Sequence, residues 1–275
     1  MGFSERLDAI TRRNDSLLCI GLDPDIDRIP SHLRSRPDAI LAFNRAITEA
    51  TADLVCAYKP NLGFDLAHGA TGIEALIEAR KLIPNDIPVI LDAKVGDIPT
   101  TSAAYARAYF DAWGFDAVTA HPYLGADSLE PFLRYEDRAV FVLARTSNPR
   151  GGDLQDLAAG DGDSEPLYLR VAHWAEEWRQ RYGTAALVVG APRPAQPAAV
   201  RARCPDMPIL VPGVGAQGGD LEATVGAGLT ARGDGLLINA SRTVIYAGQG
   251  ADFADQARAA ALQLRDAISH LRTHE

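Results

Sequence analysis

The stretch LDAKVGDIPTTSAAYA, residues 91–106, sets Asp92, Lys94 and Asp97 within six positions, directly behind an apolar run. A carboxylate, an ammonium and a second carboxylate at this spacing make a set of fixed charges. Neighbouring carboxylates favour the charged form of a lysine, so Lys94 is expected to stay protonated and held in place. A held ammonium can donate a proton and can stabilise negative charge that develops beside it. Side chains alternate along a strand with a period of two, which puts Asp92 and Lys94 on one face. Lys59 and Asn61, in AYKPN, form a similar pair on another apolar run. If both pairs face inward, charges of alternating sign line one mouth, which avoids the cost of burying unpaired charge. The same pattern also fits a salt-bridged layer that closes the structure and does no chemistry.

The elements that must carry these residues are short apolar runs: LLCIGLD (17–23), LVCAYKPN (54–61), IPVILDAK (87–94), FDAVTAHP (115–122), AVFVLARTSN (139–148), AALVVGAP (185–192), PILVPGVG (208–215) and GLLINASR (235–242). Nearly continuous apolar runs are expected of parallel strands buried on both faces. Amphipathic segments fall between them, at 38–53, 71–83, 102–114, 166–183 and 252–273, and Gly114 is placed to stop the third. Strand and helix alternate eight times, which predicts an α/β chain, 1–275, folded as a single (β/α)8 TIM barrel, with an open doubly wound sheet as the alternative. The Gly- and Asp-rich segment 149–166 is expected to be a mobile loop, serving as a lid or as an idle surface insertion.

In such a barrel the ligand sits at the C-terminal ends of the strands. The polar residues expected there are Asp23, Lys59, Asn61, Asp92, Lys94, His121, Thr146, Ser147, Gln217 and Arg242. Arg242 follows the eighth run, and PGVGAQGGD (212–220) follows the seventh. Glycines there let backbone N–H groups approach an anion, and an arginine opposite them suits a phosphate monoester. The words match neither the dinucleotide fingerprint nor the P-loop.

Composition narrows the partners. With 47% hydrophobic residues the chain can bury a large core, and its formal net charge of -9 argues against coating nucleic acid or an anionic membrane. Cys19, Cys56 and Cys204 are odd in number and form no CxxC pair, as expected of buried free thiols in a reducing compartment. The first residues, MGFSERLDAITRRND, lack the apolar core of a signal peptide, and no run approaches the ~20 apolar residues of a membrane span. A cytoplasmic location is the expectation. Trp174 and Trp178 are at helical spacing and read as packing residues. A lone histidine, His121, reads as structural or substrate-lining before it reads as a metal ligand.

Asp92-Ala-Lys94-Val-Gly-Asp97-Ile-Pro-Thr-Thr101 resembles the D-x-K-x-x-D-I-x-x-T signature of the orotidine 5′-phosphate decarboxylase family. The likeness runs through most of the chain, in order: LLCIGLDPD, AYKPN, ARTSNP, PGVGAQGG and ASR. The words KPN, RTSNP and PGVGAQGG are most similar to the longer, second bacterial subgroup. The resemblance implies decarboxylation of orotidine 5′-phosphate to uridine 5′-phosphate in de novo pyrimidine synthesis, without metal or other cofactor. It implies Lys94 as the acid that protonates C6, Asp92 beside the departing carboxylate, and Lys59 completing the charged network. Asp23 is expected to hold the ribose, Ser147 to read the pyrimidine edge, and Gln217 and Arg242 to hold the phosphate. Asp97 and Thr101 are expected to cross into the neighbouring subunit's site of a homodimer. One departure stands out: Ser241 precedes Arg242 where many members have glycine, so its side chain is expected either to crowd the phosphate or to donate to it. Two rival readings remain. One is a magnesium-dependent sugar-phosphate decarboxylase or aldolase of the same suprafamily. The other is a non-catalytic barrel that binds a nucleotide.

Overall fold

The computed structural model describes residues 1–159, 165–190, 195–213 and 221–273. Eight parallel strands follow the eight apolar runs: β1 Leu18–Leu22, β2 Ala57–Pro60, β3 Ile90–Val95, β4 Ala117–Ala120, β5 Ala139–Arg145, β6 Ala185–Val189, β7 Ile209–Pro212 and β8 Leu236–Ala240. Each strand pairs with its neighbours in chain order, and β8 returns to β1, with Leu18 opposite Ile238. The ring closes between β2 and β3 through bridges from Tyr58 to Val89 and from Asn61 to Asp92. This is a (β/α)8 TIM barrel. The open-sheet alternative falls, because both edges of such a sheet are here joined to each other.

The run composition explains the barrel wall. β1, β2, β4, β6 and β8 are buried along their whole length, because side chains on one face fill the barrel and those on the other meet the helices. β3 departs from this. Ile90 and Leu91 are buried, but Asp92, Ala93 and Val95 are half-buried and Lys94 is exposed. The polar end of β3 is therefore the part of the wall that opens to solvent.

The helices form at the predicted segments. Ala39–Thr51 buries Ile40, Phe43 and Ile47 along one stripe. Leu167–Tyr182 ends at Gly183, whose φ of 77° lets its N–H close the last turn on the Arg179 carbonyl. After β3, the helix Pro99–Ala106 starts with proline at its first turn and runs into a π-helical stretch, Arg107–Ala112. That wider turn was not foreseen from the sequence. Trp178 packs on the core, while Trp174 is exposed. All three cysteines are buried and unbridged, and burial pushes the Cys19 thiol up to about 12, so they act as packing residues.

Segment 149–166 is anchored where it is described. Arg145, at the end of β5, forms a two-pronged contact with Asp156 (2.9 and 3.1 Å) and also donates to the Thr146 carbonyl. Gln155 accepts from the Thr146 N–H at 2.9 Å, and Ala158–Ala159 pairs with Glu165–Pro166 as a small antiparallel ladder.

Candidate active site

β3 carries the centre of the site. Asp92 receives four donors. Lys59 Nζ lies 2.9 Å from Oδ2 and Lys94 Nζ 2.6 Å from Oδ1. The Thr119 hydroxyl donates to Oδ1 at 2.8 Å, and the Asn61 amide reaches Oδ2 at 3.4 Å. Asn61 also caps the short helix Leu62–Leu66, accepting from Gly63 N–H at 3.0 Å, so β2 and the turn after it are fixed to the same carboxylate.

The electrostatics follow from this packing. Burial alone would push the Asp92 carboxyl up, but the two ammoniums outweigh it and hold the group well below the usual carboxylate range. Lys59 is buried, which works against its charge. Asp92 and then Asp23 more than compensate, and its ammonium is held above its ordinary value. The two lysines differ in access: the Lys59 side chain is 5% exposed and that of Lys94 is 51% exposed. Lys59 is thus a buried counter-charge to Asp92, and Lys94 carries its ammonium into the open mouth. Lys94 also has a φ of 49°, a left-handed conformation that is costly for a residue with a side chain.

A cavity of about 320 Å³ lies over this cluster, a size suited to a small ligand. Asp23, Lys59, Asn61, Asp92, Lys94, Ser147 and Arg242 all line it, as do Asn239 and Ser241. With Thr146, the strand ends thus bring together eight polar residues collected from the sequence. Two buried oxygens on its wall, Asp23 Oδ1 and Asn239 Oδ1, have no partner among the described residues, so they are acceptors open to a ligand's hydroxyl groups. Arg242 is exposed and makes no ion pair among the described residues. Gly213, directly after β7, has a φ of 86°. Gln217, expected at the phosphate, lies outside the described residues.

Ser147 comes close to the end of β6: a side chain at Gly190 would collide with the Ser147 backbone. Ser241 has a partner within the chain. Its hydroxyl donates to Asp23 Oδ2 at 2.6 Å, and a side chain at Gly21 would collide with that hydroxyl. Tyr246 completes the arrangement by donating to the Asp23 carbonyl at 3.0 Å and accepting from Asp25 N–H at 2.7 Å. Asp97 does not meet Lys94 within the chain. Its carboxylate accepts from the Ile98 N–H at 2.7 Å, and Thr101 lies in the first turn of the helix that follows.

Two contributors were missed in the sequence. Thr119 sits inside an apolar run and carries no pattern signal. Asn239 reads as an isolated polar residue in a buried strand, and that oddity was the one available cue. Among the described residues, no group of three or more His, Cys, Asp or Glu side chains is arranged to hold a metal ion. The donor set at Asp92 is also unsuited to one, since a divalent cation would face two ammonium groups.

Comparison with known proteins agrees with this geometry. The family model described as Orotidine 5′-phosphate decarboxylase / HUMPS family matches residues 16–257. Orotidine 5′-phosphate decarboxylase of Thermomicrobium roseum is 59% identical over 272 residues, covering 99% of this chain and 96% of that protein. The enzyme of the same name from an Azoarcus species is 54% identical over 274 residues, covering 99% and 100%. Among solved structures, Leishmania donovani OMP decarboxylase superposes with a TM-score of 0.86 at 43% identity, covering 99% of this chain and 100% of that one. Leishmania donovani UMP synthase gives 0.89 at 44% identity, and there this chain spans 57% of the longer protein. With strand ends, charge cluster and sequence all in agreement, the chain belongs to the orotidine 5′-phosphate decarboxylase / HUMPS family.

Proposed function

We propose that the protein decarboxylates orotidine 5′-phosphate to uridine 5′-phosphate in pyrimidine biosynthesis, and that Lys94 protonates C6. The observation that carries the residue assignment is the Asp92 cluster, in which one ammonium is buried and the other reaches the cavity. Breaking the bond from C6 to the carboxylate releases carbon dioxide and leaves the electron pair on C6. No adjacent π system accepts that pair, so a fixed positive charge facing the carbon is the effective stabiliser. Lys94 supplies the charge and then the proton, and Asp92 keeps the ammonium oriented. Asp23, with one carboxylate oxygen unpartnered, holds the ribose. Ser147 reads the pyrimidine edge, and Arg242 with Gln217 holds the phosphate. Binding energy from the phosphate orders the segments around the base.

The protein acts as a homodimer in the cytoplasm. Beside Lys94 a second cavity, of about 530 Å³, is lined by Asp97, Tyr105, Tyr109, Trp113, Leu62 and Leu66. Leu66, Ile98 and Tyr105 are exposed there or next to it, and Tyr123 and Leu124 are exposed in the turn after β4. Large apolar side chains grouped around charged ones suit a protein partner. A two-fold partner would receive Asp97 and Thr101 at its own Lys94 and return the same residues.

Purified protein is assayed by ultraviolet absorbance with orotidine 5′-phosphate, in chelator and without added cofactor. Steady turnover is expected. Activity only with added magnesium, or nucleotide binding without turnover, would favour one of the two rivals. The shared site is tested by mixing Lys94→Ala and Asp97→Ala proteins, each severely impaired alone. Subunit exchange should restore roughly a quarter of the sites, those pairing an intact Lys94 with the partner's intact Asp97. No recovery after exchange verified by mass would place Asp97 in its own chain's site.

A further inference from the structure

Thr119 lies at an irregularity between β3 and β4. The two strands are in register at Leu91 opposite Val118, and again at Val95 opposite Ala120. The three residues 92–94 of β3 therefore face a single residue of β4, Thr119. A bulge of this kind leaves a ladder N–H without a carbonyl to bond. Here that group is the N–H of Lys94, and Thr119 Oγ1 accepts it at 2.9 Å. The hydroxyl's own proton goes to Asp92 Oδ1 at 2.8 Å, the same oxygen that Lys94 Nζ reaches at 2.6 Å. A hydroxyl has one proton to give. In Thr119 that proton and an acceptor lone pair go to the two charged residues at the centre of the site. The side chain is buried, with the residue 1% exposed, so water does not compete for these bonds.

We propose that Thr119 is a positioning residue for decarboxylation, holding Lys94 in its left-handed conformation and fixing the Asp92 oxygen that orients the ammonium. The proposal rests on the reading of Lys94 as the proton donor. Without the hydroxyl, Lys94 N–H loses its acceptor, nothing offsets the strained φ, and the bulge relaxes toward a regular ladder. In a regular strand both side chains would leave the positions described above. A displacement of about 1 Å in a reacting group can cost on the order of 100-fold in rate. Product binding depends on other residues and should be spared.

The test is Thr119→Val, which keeps the branched shape and removes the hydroxyl, measured beside Thr119→Ser, Lys94→Ala and the Lys94→Ala/Thr119→Val double variant. The expected result for Thr119→Val is a kcat lowered roughly 10- to 100-fold, with affinity for uridine 5′-phosphate within about threefold of the parent. Thr119→Ser should recover most of the rate. In the Lys94→Ala background, Thr119→Val should lower the residual rate little further, because groups acting as a unit are not additive. An unchanged kcat in Thr119→Val would overturn the proposal, and so would failure of serine to restore the rate. Equal losses with and without Lys94 would overturn it as well, by showing a general defect of the fold. Should the valine variant not fold, Thr119→Ala carries the same comparison. Lys94→Ala separates the two levels of inference: if it keeps near-normal turnover, the proton-donor reading fails and takes the role of Thr119 with it. If Lys94→Ala is inactive and Thr119→Val is normal, only the role of Thr119 fails.

Discussion

Two carboxylates surrounded by cations sit at opposite ends of the barrel wall. Asp116, just before β4, meets Arg6 at 2.7 Å, Arg80 at 3.1 Å and Arg138 at 3.7 Å, and accepts from Val89 N–H at 2.9 Å. Asp92, within β3, meets Lys59 and Lys94. The Asp116 side chain is 2% exposed, and its guanidiniums come from the first helix, from the helix Gly69–Leu82 and from the residue before β5. Arginine forks bind a carboxylate in fixed geometry, so this cluster pins helices to the barrel. The Asp92 cluster uses lysines, which are point charges on flexible stems, and one of them is exposed and strained. A closed ring of arginines holds a fold together. A ring with one exposed lysine, supported by a bulge, leaves a charge ready for a ligand.

Asp116 is where a single substitution should cost the most stability. Asp116→Asn leaves three guanidiniums around a neutral amide. Breaking a buried ion pair from one side costs roughly 3–5 kcal/mol, so a large drop in unfolding free energy is expected by denaturant titration. Turnover per folded molecule should be unchanged. If kcat falls while stability holds, the two clusters are not functionally distinct.

Lys94→Ala should do the reverse. Removing one preorganised donor costs about 10²–10³ in kcat, while affinity for uridine 5′-phosphate and the thermal midpoint move little. Near-normal turnover would end the proposed mechanism. A large loss of stability would make Lys94 structural, like the arginines.

A third carboxylate sharpens the contrast because it has no cation. Asp65, on the short helix after β2, is 1% exposed, and both of its oxygens lack a partner among the described residues. Burial, followed by the charge of Asp23, pushes its carboxyl up to about 7. A group whose folded value is raised contributes fully below the unfolded value, near 4, and that contribution is lost as pH rises through 7. Asp65→Asn should therefore stabilise the protein by roughly 4 kcal/mol at pH 8 and by almost nothing near pH 4. Thermal melts of both proteins across that range decide it. A stabilisation independent of pH would mean that the carboxyl ionises alike in the folded and unfolded protein, and so is not held neutral by burial.

The sequence revealed more of the barrel than of the local geometry that makes the site work. All eight strands were legible because a strand buried on both faces must be apolar, and any polar residue at its end is conspicuous. That rule exposed Asp92, Lys94, Lys59 and Asp23. Period-two alternation also placed Asp92 and Lys94 together, but by the wrong geometry. They meet across a bulge, with Lys94 left-handed, and no residue type in DAK announces that. Thr119 was invisible for the same reason, since threonine is an ordinary strand residue until the opposing ladder loses a carbonyl. The π-helical turn at Arg107–Ala112 leaves no mark on amphipathic spacing. Ser241 was noticed, but its partner is Asp23, which lies 218 positions away in the chain.

The smallest expected effect concerns that serine. Sequence reasoning put Ser241 at the phosphate, whereas the structure has its proton on Asp23 Oδ2, leaving Oδ1 as the open acceptor. If Asp23 holds the ribose, Ser241→Ala frees the carboxylate to rotate and weakens its grip on the sugar hydroxyls. A single hydrogen bond contributes about 0.5–1.5 kcal/mol, so affinity for uridine 5′-phosphate should fall between about 2- and 12-fold. The discriminating ligand is the 2′,3′-dideoxy analogue, which keeps base and phosphate and lacks both hydroxyls. Its affinity should be the same for parent and variant by calorimetry, because the bond that Ser241 supports is already missing. If Ser241 instead donated to the phosphate in the complex, both ligands would weaken by the same factor. Equal losses would therefore return Ser241 to the phosphate, and a loss confined to the ribonucleotide would assign it to Asp23.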